Sequence, residues 1–257
     1  MISDWLYNFL MSKKRLVILV ILLMVTASLI APQRGTALPS PRITILSPGD
    51  TSELTSPIKL SAEIYPDPNG MIRITLTSRK GDLLARKLLR IDSTVNTSPI
   101  PFNTDLAFEI PSDQTEALLT LAIQDDAFRT IALRSVLVIL ISDGETILQP
   151  MLQIAPWLEI TQPQPSDAIS GGQILVTGSV TPISDRPITF ELINNDDRVI
   201  GATQLAVEYP NEKFDYSFHL YFSSITEPTD VRLIVRQALY PYDEVAILES
   251  LCLTAIP

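Results

Sequence analysis

The chain has 257 residues, 46% of them hydrophobic, with 19 Lys and Arg against 29 Asp and Glu for a net charge of −10. That length holds two domains of ordinary size, each with its own core, while the acidic balance disfavours nucleic acid, whose binding needs a basic patch to displace counterions from phosphates. Cys252 is the single cysteine and His219 the single histidine, which excludes an intrachain disulfide and a zinc centre built from such ligands.

Residues 1–15 end in Lys13, Lys14 and Arg15, and the 16 residues that follow, LVILVILLMVTASLIA from Leu16 to Ala31, carry no charge. At 1.5 Å per residue this run covers about 24 Å, just under a hydrocarbon layer of ~27–30 Å, and snorkelling lysines with Pro32 and Gln33 extend it. Trp5 and Tyr7 suit the interfacial belt. The three cations on the N-terminal side predict a cytoplasmic segment over 1–15, a signal-anchor transmembrane helix over 16–33 and an extracytoplasmic remainder. A signal peptide cleaved near Ala27, at Val25-Thr26-Ala27, is the alternative, and it yields a secreted protein. No cysteine ends the apolar run, so lipoprotein attachment is excluded. Beyond residue 15 stand 16 cations against 28 anions, a charge of −12.

All 20 prolines lie after position 31, which leaves few windows for a helix of ordinary length and predicts an all-β body. A short stalk, 34–41, leads into a first copy over 42–142. Its phrases alternate with period two: Ile58, Leu60, Ala62 and Ile64, then Ile72, Ile74 and Leu76, a turn at Arg79–Asp82, and Leu84. The cation-rich run RKGDLLARKLLR from Arg79 reads as a solvated strand and hairpin. Next come Phe102, Leu106, Phe108 and Ile110 facing inward, with Asn103, Asp105, Ala107 and Glu109 outward, and then Leu119, Leu121 and Ile123. The connector 143–156 is partly apolar. Ile147, Leu148, Met151, Leu152 and Ile154 are expected to finish a strand of the first copy or to pack between copies, giving a stiff tandem rod.

The second copy, 157–257, repeats the first. Ile174, Val176, Gly178 and Val180 and then Ile188, Phe190 and Leu192 recur at an offset of 116, with a turn at Asn194–Asp197 and Ile200 in the place of Leu84. FDYSFHLYF from Phe214 mirrors FNTDLAFEI from Phe102 at an offset of 112, and Val231, Leu233 and Val235 answer Leu119, Leu121 and Ile123 at the same offset. Phe214, Tyr216, Phe218, Leu220 and Phe222 are expected on one face, with Asp215, Ser217, His219, Tyr221 and Ser223 on the other. Cys252, between Leu251 and Leu253, reads as an ordinary strand residue.

About seven such phrases in roughly 100 residues per copy match the strand count of an immunoglobulin-like sandwich. The openings ITILSPGDTSELTSPIKLSAEI from Ile43 and LEITQPQPSDAISGGQILVTGSV from Leu158 resemble bacterial immunoglobulin-like domains, including those of sporulation and germination proteins. The resemblance lies in a first strand ending in Pro48 or Pro163, a polar loop and a second strand with small residues; the first copy departs from it with Ser61 and Ala62 where the second has Thr177 and Gly178. It implies two tandem immunoglobulin-like β-sandwiches with a spacer or binding role at a cell surface.

Chemistry-bearing patterns are sparse. His219 is expected on the polar face of a strand, without the context of a catalytic triad. Asp67, Asp125, Asp126, Asp196 and Asp197 fall in or near turns, where calcium ligation competes with the commoner reading as turn formers. A carboxylate pair for an envelope enzyme requires a concave acidic site. No cofactor is implied: the 9 glycines include one adjacent pair, Gly171-Gly172, and no phosphate loop. Aromatic residues are the better lead. Tyr240, Tyr242, Trp157 and Tyr209 fall at strand ends or loops of the second copy, as partner-binding rings or as seals of the domain junction. The expectation is a non-catalytic, membrane-anchored adhesion, scaffolding or envelope-assembly protein whose partner is an envelope protein or glycan; a surface carbohydrate-binding protein is one alternative and an envelope enzyme using a carboxylate pair is another.

Overall fold

The computed structural model describes residues 41–65, 70–90, 98–151, 157–240, 242 and 244–257. The cytoplasmic segment, the apolar run, the cleavage site and the stalk up to residue 40 lie outside the described residues, as do Asp67, Leu152 and Ile154. Every described residue lies within 38–257, which forms one compact unit.

The described residues form strands and no helix. The first copy contains β1 (Arg42–Ser47), β2 (Ser52–Leu54), β3 (Ile58–Tyr65), β4 (Met71–Ser78), β5 (Leu83–Arg90), β6 (Ile100–Leu106), β7 (Gln114–Gln124) and β8 (Thr130–Ile141). The second contains β9 (Leu158–Gln162), β10 (Ala168–Ile169), β11 (Gln173–Val180), β12 (Ile188–Asn194), β13 (Val199–Leu205), β14 (Phe214–Tyr221), β15 (Thr229–Leu239) and β16 (Glu244–Ala255). Period-two alternation places them. In β3, Ile58, Leu60, Ala62 and Ile64 are buried while Lys59 and Glu63 are exposed.

Each copy has a three-stranded sheet, β1-β3-β6 or β9-β11-β14, facing a longer one, β5-β4-β7-β8 or β13-β12-β15-β16. One apolar cluster lies within residues 43–151 and another within 157–255. Short β2 and β10 raise the count above the expected seven per copy; each follows Pro48 or Pro163 and pairs parallel with the last strand of its copy. This is the plan of immunoglobulin-like sandwiches.

The duplication reaches into the irregularities of the ladders. Bulges interrupt β1/β3 at Ile45–Ser47 and β9/β11 at Thr177–Gly178, the two central hairpins at Leu76–Thr77 and Leu192–Ile193, and the two final hairpins at Ile123–Gln124 and Gln237–Ala238. The offset of 112 for the later strands is corrected by register. Ile58 pairs with Leu106 and Ile174 with Leu220, so β6 corresponds to β14 at 114. Leu76 pairs with Leu119 and Leu192 with Leu233, which gives 114 for β7 and β15 as well. A slip of two residues returns every side chain to the same face, so the hydrophobic pattern alone does not separate 112 from 114.

The tandem rod is also corrected. Ile247 pairs with Arg134 and Leu248 with Leu133, joining β8 to β16 antiparallel and merging the longer sheets of both copies into one ten-stranded sheet. The sandwiches stand side by side. The connector turns back along the first copy, where Ile147 bridges to Glu53 and Met151 packs on the first core, while Ile147 and Leu148 remain 51% and 57% exposed.

Candidate functional site

The seam between the sandwiches has a local two-fold relation. Leu119 pairs with Val136 and Leu233 with Leu251, so β8 and β16 correspond at an offset of 115. Leu133 and Leu248 are therefore equivalent, and they pair with each other. One residue on, Arg134 and Glu249 are also equivalent and share the parity of the inward residues Val136 and Val138, and Leu251 and Leu253. A cation and an anion thus sit under the axis where the repeat would otherwise place apolar groups. Burial pushes the Glu249 carboxyl above its ordinary range, with Arg42 and then Arg134 opposing; burial likewise lowers Arg134, with Glu249 and Asp50 opposing. Arg42 Nη2 stands 3.7 Å from Glu249 Oε2, whose side chain is 18% exposed. Beside them buried Ser250 donates from Oγ to the Ile131 carbonyl at 2.6 Å and accepts from Arg232 Nη1 at 3.1 Å.

The β7–β8 turn reinforces the seam. In the β7–β8 turn, buried Asp125 accepts from the backbone N–H groups of Ala127 and Arg129 at 3.1 and 2.9 Å and from Arg129 Nε at 2.8 Å. The Arg129 guanidinium reaches Asp197 of the second copy at 3.6 Å, and Arg232 of the second copy reaches Asp125 at 3.9 Å. These groups border a cleft of about 450 Å³ whose lining includes Arg129, Asn194, Asp197, Asp230, Arg232 and Cys252. Its guanidiniums already face carboxylates, so the cleft suits polar hydrogen bonding more than capture of net charge. Between β15 and β16, burial and then Glu116 of the first copy raise the Tyr242 phenol, against Arg79.

The sequence-predicted rings do not form one platform. Trp157 is 2% exposed and belongs to the second core, its backbone carbonyl accepting from Thr181 N at 2.8 Å. Tyr242 is half-buried near the seam. Tyr240 and Tyr209 are exposed, and the Arg186 guanidinium lies 5.5 Å from the Tyr240 ring centroid, a cation–π distance. Pro241 and Asp243 of the same loop lie outside the described residues. His219 is exposed and opposite Leu175, while Cys252 is exposed between inward Leu251 and Leu253. Among the described residues no three His, Cys, Asp or Glu side chains are grouped to hold a metal ion. Sequence reading missed the seam residues Arg134 and Glu249; their signal was a charge at inward parity within an otherwise apolar last strand of each copy.

No family model and no curated protein sequence matches the chain. Among solved structures it is similar to the Salmonella enterica SafA pilin in complex with the SafB chaperone, at 10% identity and a TM-score of 0.27, over 82% of this chain and 94% of that one. It is also similar to a marsupial T cell receptor, at 7% identity and a TM-score of 0.29, over 84% of this chain and 73% of that one. A glycosyl hydrolase family 2 member from Bacteroides cellulosilyticus matches at 10% identity and a TM-score of 0.28, over 80% of this chain but 29% of its own length.

Proposed function

We propose that the chain is a single-pass membrane protein of a bacterial envelope, with residues 1–15 cytoplasmic, and that its two immunoglobulin-like sandwiches act without catalysis as an adhesion, scaffolding or complex-assembly module. The observation that carries this reading is the ten-stranded sheet. Strand pairing between copies, with Ser250, Arg129 and Arg232 bridging the seam beside it, holds the two sandwiches in one fixed relation, as a scaffold requires and a lone spacer does not. Fixing that relation in advance lowers the entropy lost when a partner engages both sandwiches. The apolar run from Leu16 to Ala31 supports the anchor.

The test uses the full-length chain with a C-terminal tag in its native membranes. Protease added to intact cells should remove the tag, and solubilised chain should bring down discrete proteins in fixed ratio. A tag protected from protease overturns the orientation, and a cleaved N-terminus replaces the anchor with secretion. Recovery of a protease-resistant polysaccharide, lost on Tyr209→Ala with Tyr240→Ala, would replace the protein partner with a glycan.

A further inference from the structure

The two copies treat one edge differently. β6 and its counterpart β14 are both edge strands of the small sheets. Phe222 N donates to Gly172 O, and by antiparallel alternation the even residues of β14 face β11. The N–H and C=O groups of Asp215, Ser217 and His219 therefore point to the open side, and no hydrogen bond to another described segment fills them. In β6 the equivalent positions are Pro101, Asn103 and Asp105. Pro101 has no N–H to offer, and the Asp105 carbonyl is taken by Lys87 Nζ at 2.8 Å, with Thr104 Oγ1 bound to the same ammonium at 2.6 Å. Proline and lysine at an edge are devices that prevent strand addition. The second copy has Asp215 in place of Pro101 and Thr203 in place of Lys87. The open stretch is bounded, because at Tyr221 the strand closes on β13, where Ser223 N donates to Ile200 O at 2.9 Å and the Tyr221 carbonyl lies against Gly201.

We propose that this edge pairs antiparallel with the same edge of a second copy of the chain, about a two-fold axis at Ser217. The inference rests on the assembly reading above and names one of its contacts. Self-complementarity selects the occupant and the register. With Ser217 opposite Ser217 of the second copy, Asp215 faces His219 and His219 faces Asp215, so a carboxylate meets an imidazole on each side and all three open residues exchange backbone hydrogen bonds. Lys213 then meets exposed Tyr221, a cation beside a ring. Moving the axis to Asp215 sets two carboxylates against each other, and moving it to His219 sets two imidazoles together and leaves both carboxylates unmatched. The register centred on Ser217 also coincides with the middle of the open stretch.

The test is disulfide trapping in the full-length chain, in native membranes under a mild oxidant, with Cys252→Ser removing the native thiol. In a hydrogen-bonded antiparallel pair the facing Cα atoms stand about 5.5 Å apart, within the roughly 4.4–6.8 Å a disulfide spans. Ser217→Cys should shift the chain to a band of twice the monomer mass, and Asn103→Cys, at the blocked edge of β6, should not. Asp215→Lys should abolish the shift, and Asp215→Lys combined with His219→Asp should restore it, because the swap puts a carboxylate and a basic group opposite each other again. No shift from Ser217→Cys, an equal shift from Asn103→Cys, or a cross-linked band of another mass overturns the proposal. If defined proteins still co-purify with wild type while Ser217→Cys stays monomeric, assembly stands and this edge contact falls.

Discussion

At Gly178, one atom decides what the second copy tolerates. A Cβ there would run into the Glu159 carbonyl oxygen and stand 2.7 Å from Tyr216 Oη, because β9 and the tyrosine close over the strand. The equivalent residue of the first copy is Ala62, buried without such an obstacle. Gly178→Ala is therefore expected to destabilise by about 1–3 kcal/mol, whereas Ala62→Gly should lose only about 0.5–1 kcal/mol; thermal melts of both variants measure the contrast. Glu249 carries a pH signature. Its folded carboxyl titrates above the ordinary 4.5 because burial outweighs Arg42 and Arg134, so the folded state binds the proton more tightly than the unfolded chain. Stability is then gained as pH falls through the folded value toward 4.5 and lost as pH rises through it. Wild type should gain stability relative to Glu249→Gln on acidification from neutral pH, read from paired melting curves; a constant difference would contradict the sign. Neither behaviour was legible from the sequence, where Gly178 was a difference between copies and Glu249 one acid among many.

Among the strands, alternation placed almost every inward face from the sequence, including the aromatic face of β14, where Tyr216 and Leu220 are buried, as is Phe222 just beyond the strand, and Asp215, Ser217 and His219 are exposed. Register was less legible. The two-residue correction to β6/β14 and β7/β15 came only from backbone pairing, since apolar periodicity is blind to even slips. Edge chemistry is a property of the same scale. Transplanting the second copy's residues onto the first, Lys87→Thr with Pro101→Asp, restores an N–H and frees the Asp105 carbonyl on β6. In that background Asn103→Cys should become competent for disulfide trapping between copies of the chain, while the single substitutions should remain poor. The turns carried local signals that held. Ser78 Oγ accepts from the backbone of Lys80 and Asp82, and Asn194 Oδ1 accepts from that of Asp196 and Arg198, so equivalent hairpins are closed by different side chains doing the same thing.

At the scale of both sandwiches together, the seam is expected to couple their unfolding. Leu248 is 8% exposed at the axis and paired with Leu133, yet each sandwich keeps its own apolar cluster. Leu248→Asp places an unpaired charge at the axis, and it should split a single calorimetric transition into two without unfolding either core. If the variant melts as one transition close to that of wild type, the seam does not couple the sandwiches.

The all-β class, the hairpin turns, the duplication and the inward faces were set by the sequence alone, because each rests on side-chain periodicity or on local backbone preference, which the order of residues records directly. The union of β8 with β16, the open edge of β14 and the burial of Trp157 were decided by tertiary structure. Backbone N–H and C=O groups are the same in every strand, so the hydrophobic pattern of β8 and β16 does not mark them as the two edges that meet. A flat ring at a strand end reads the same whether the fold turns it toward solvent or closes over it.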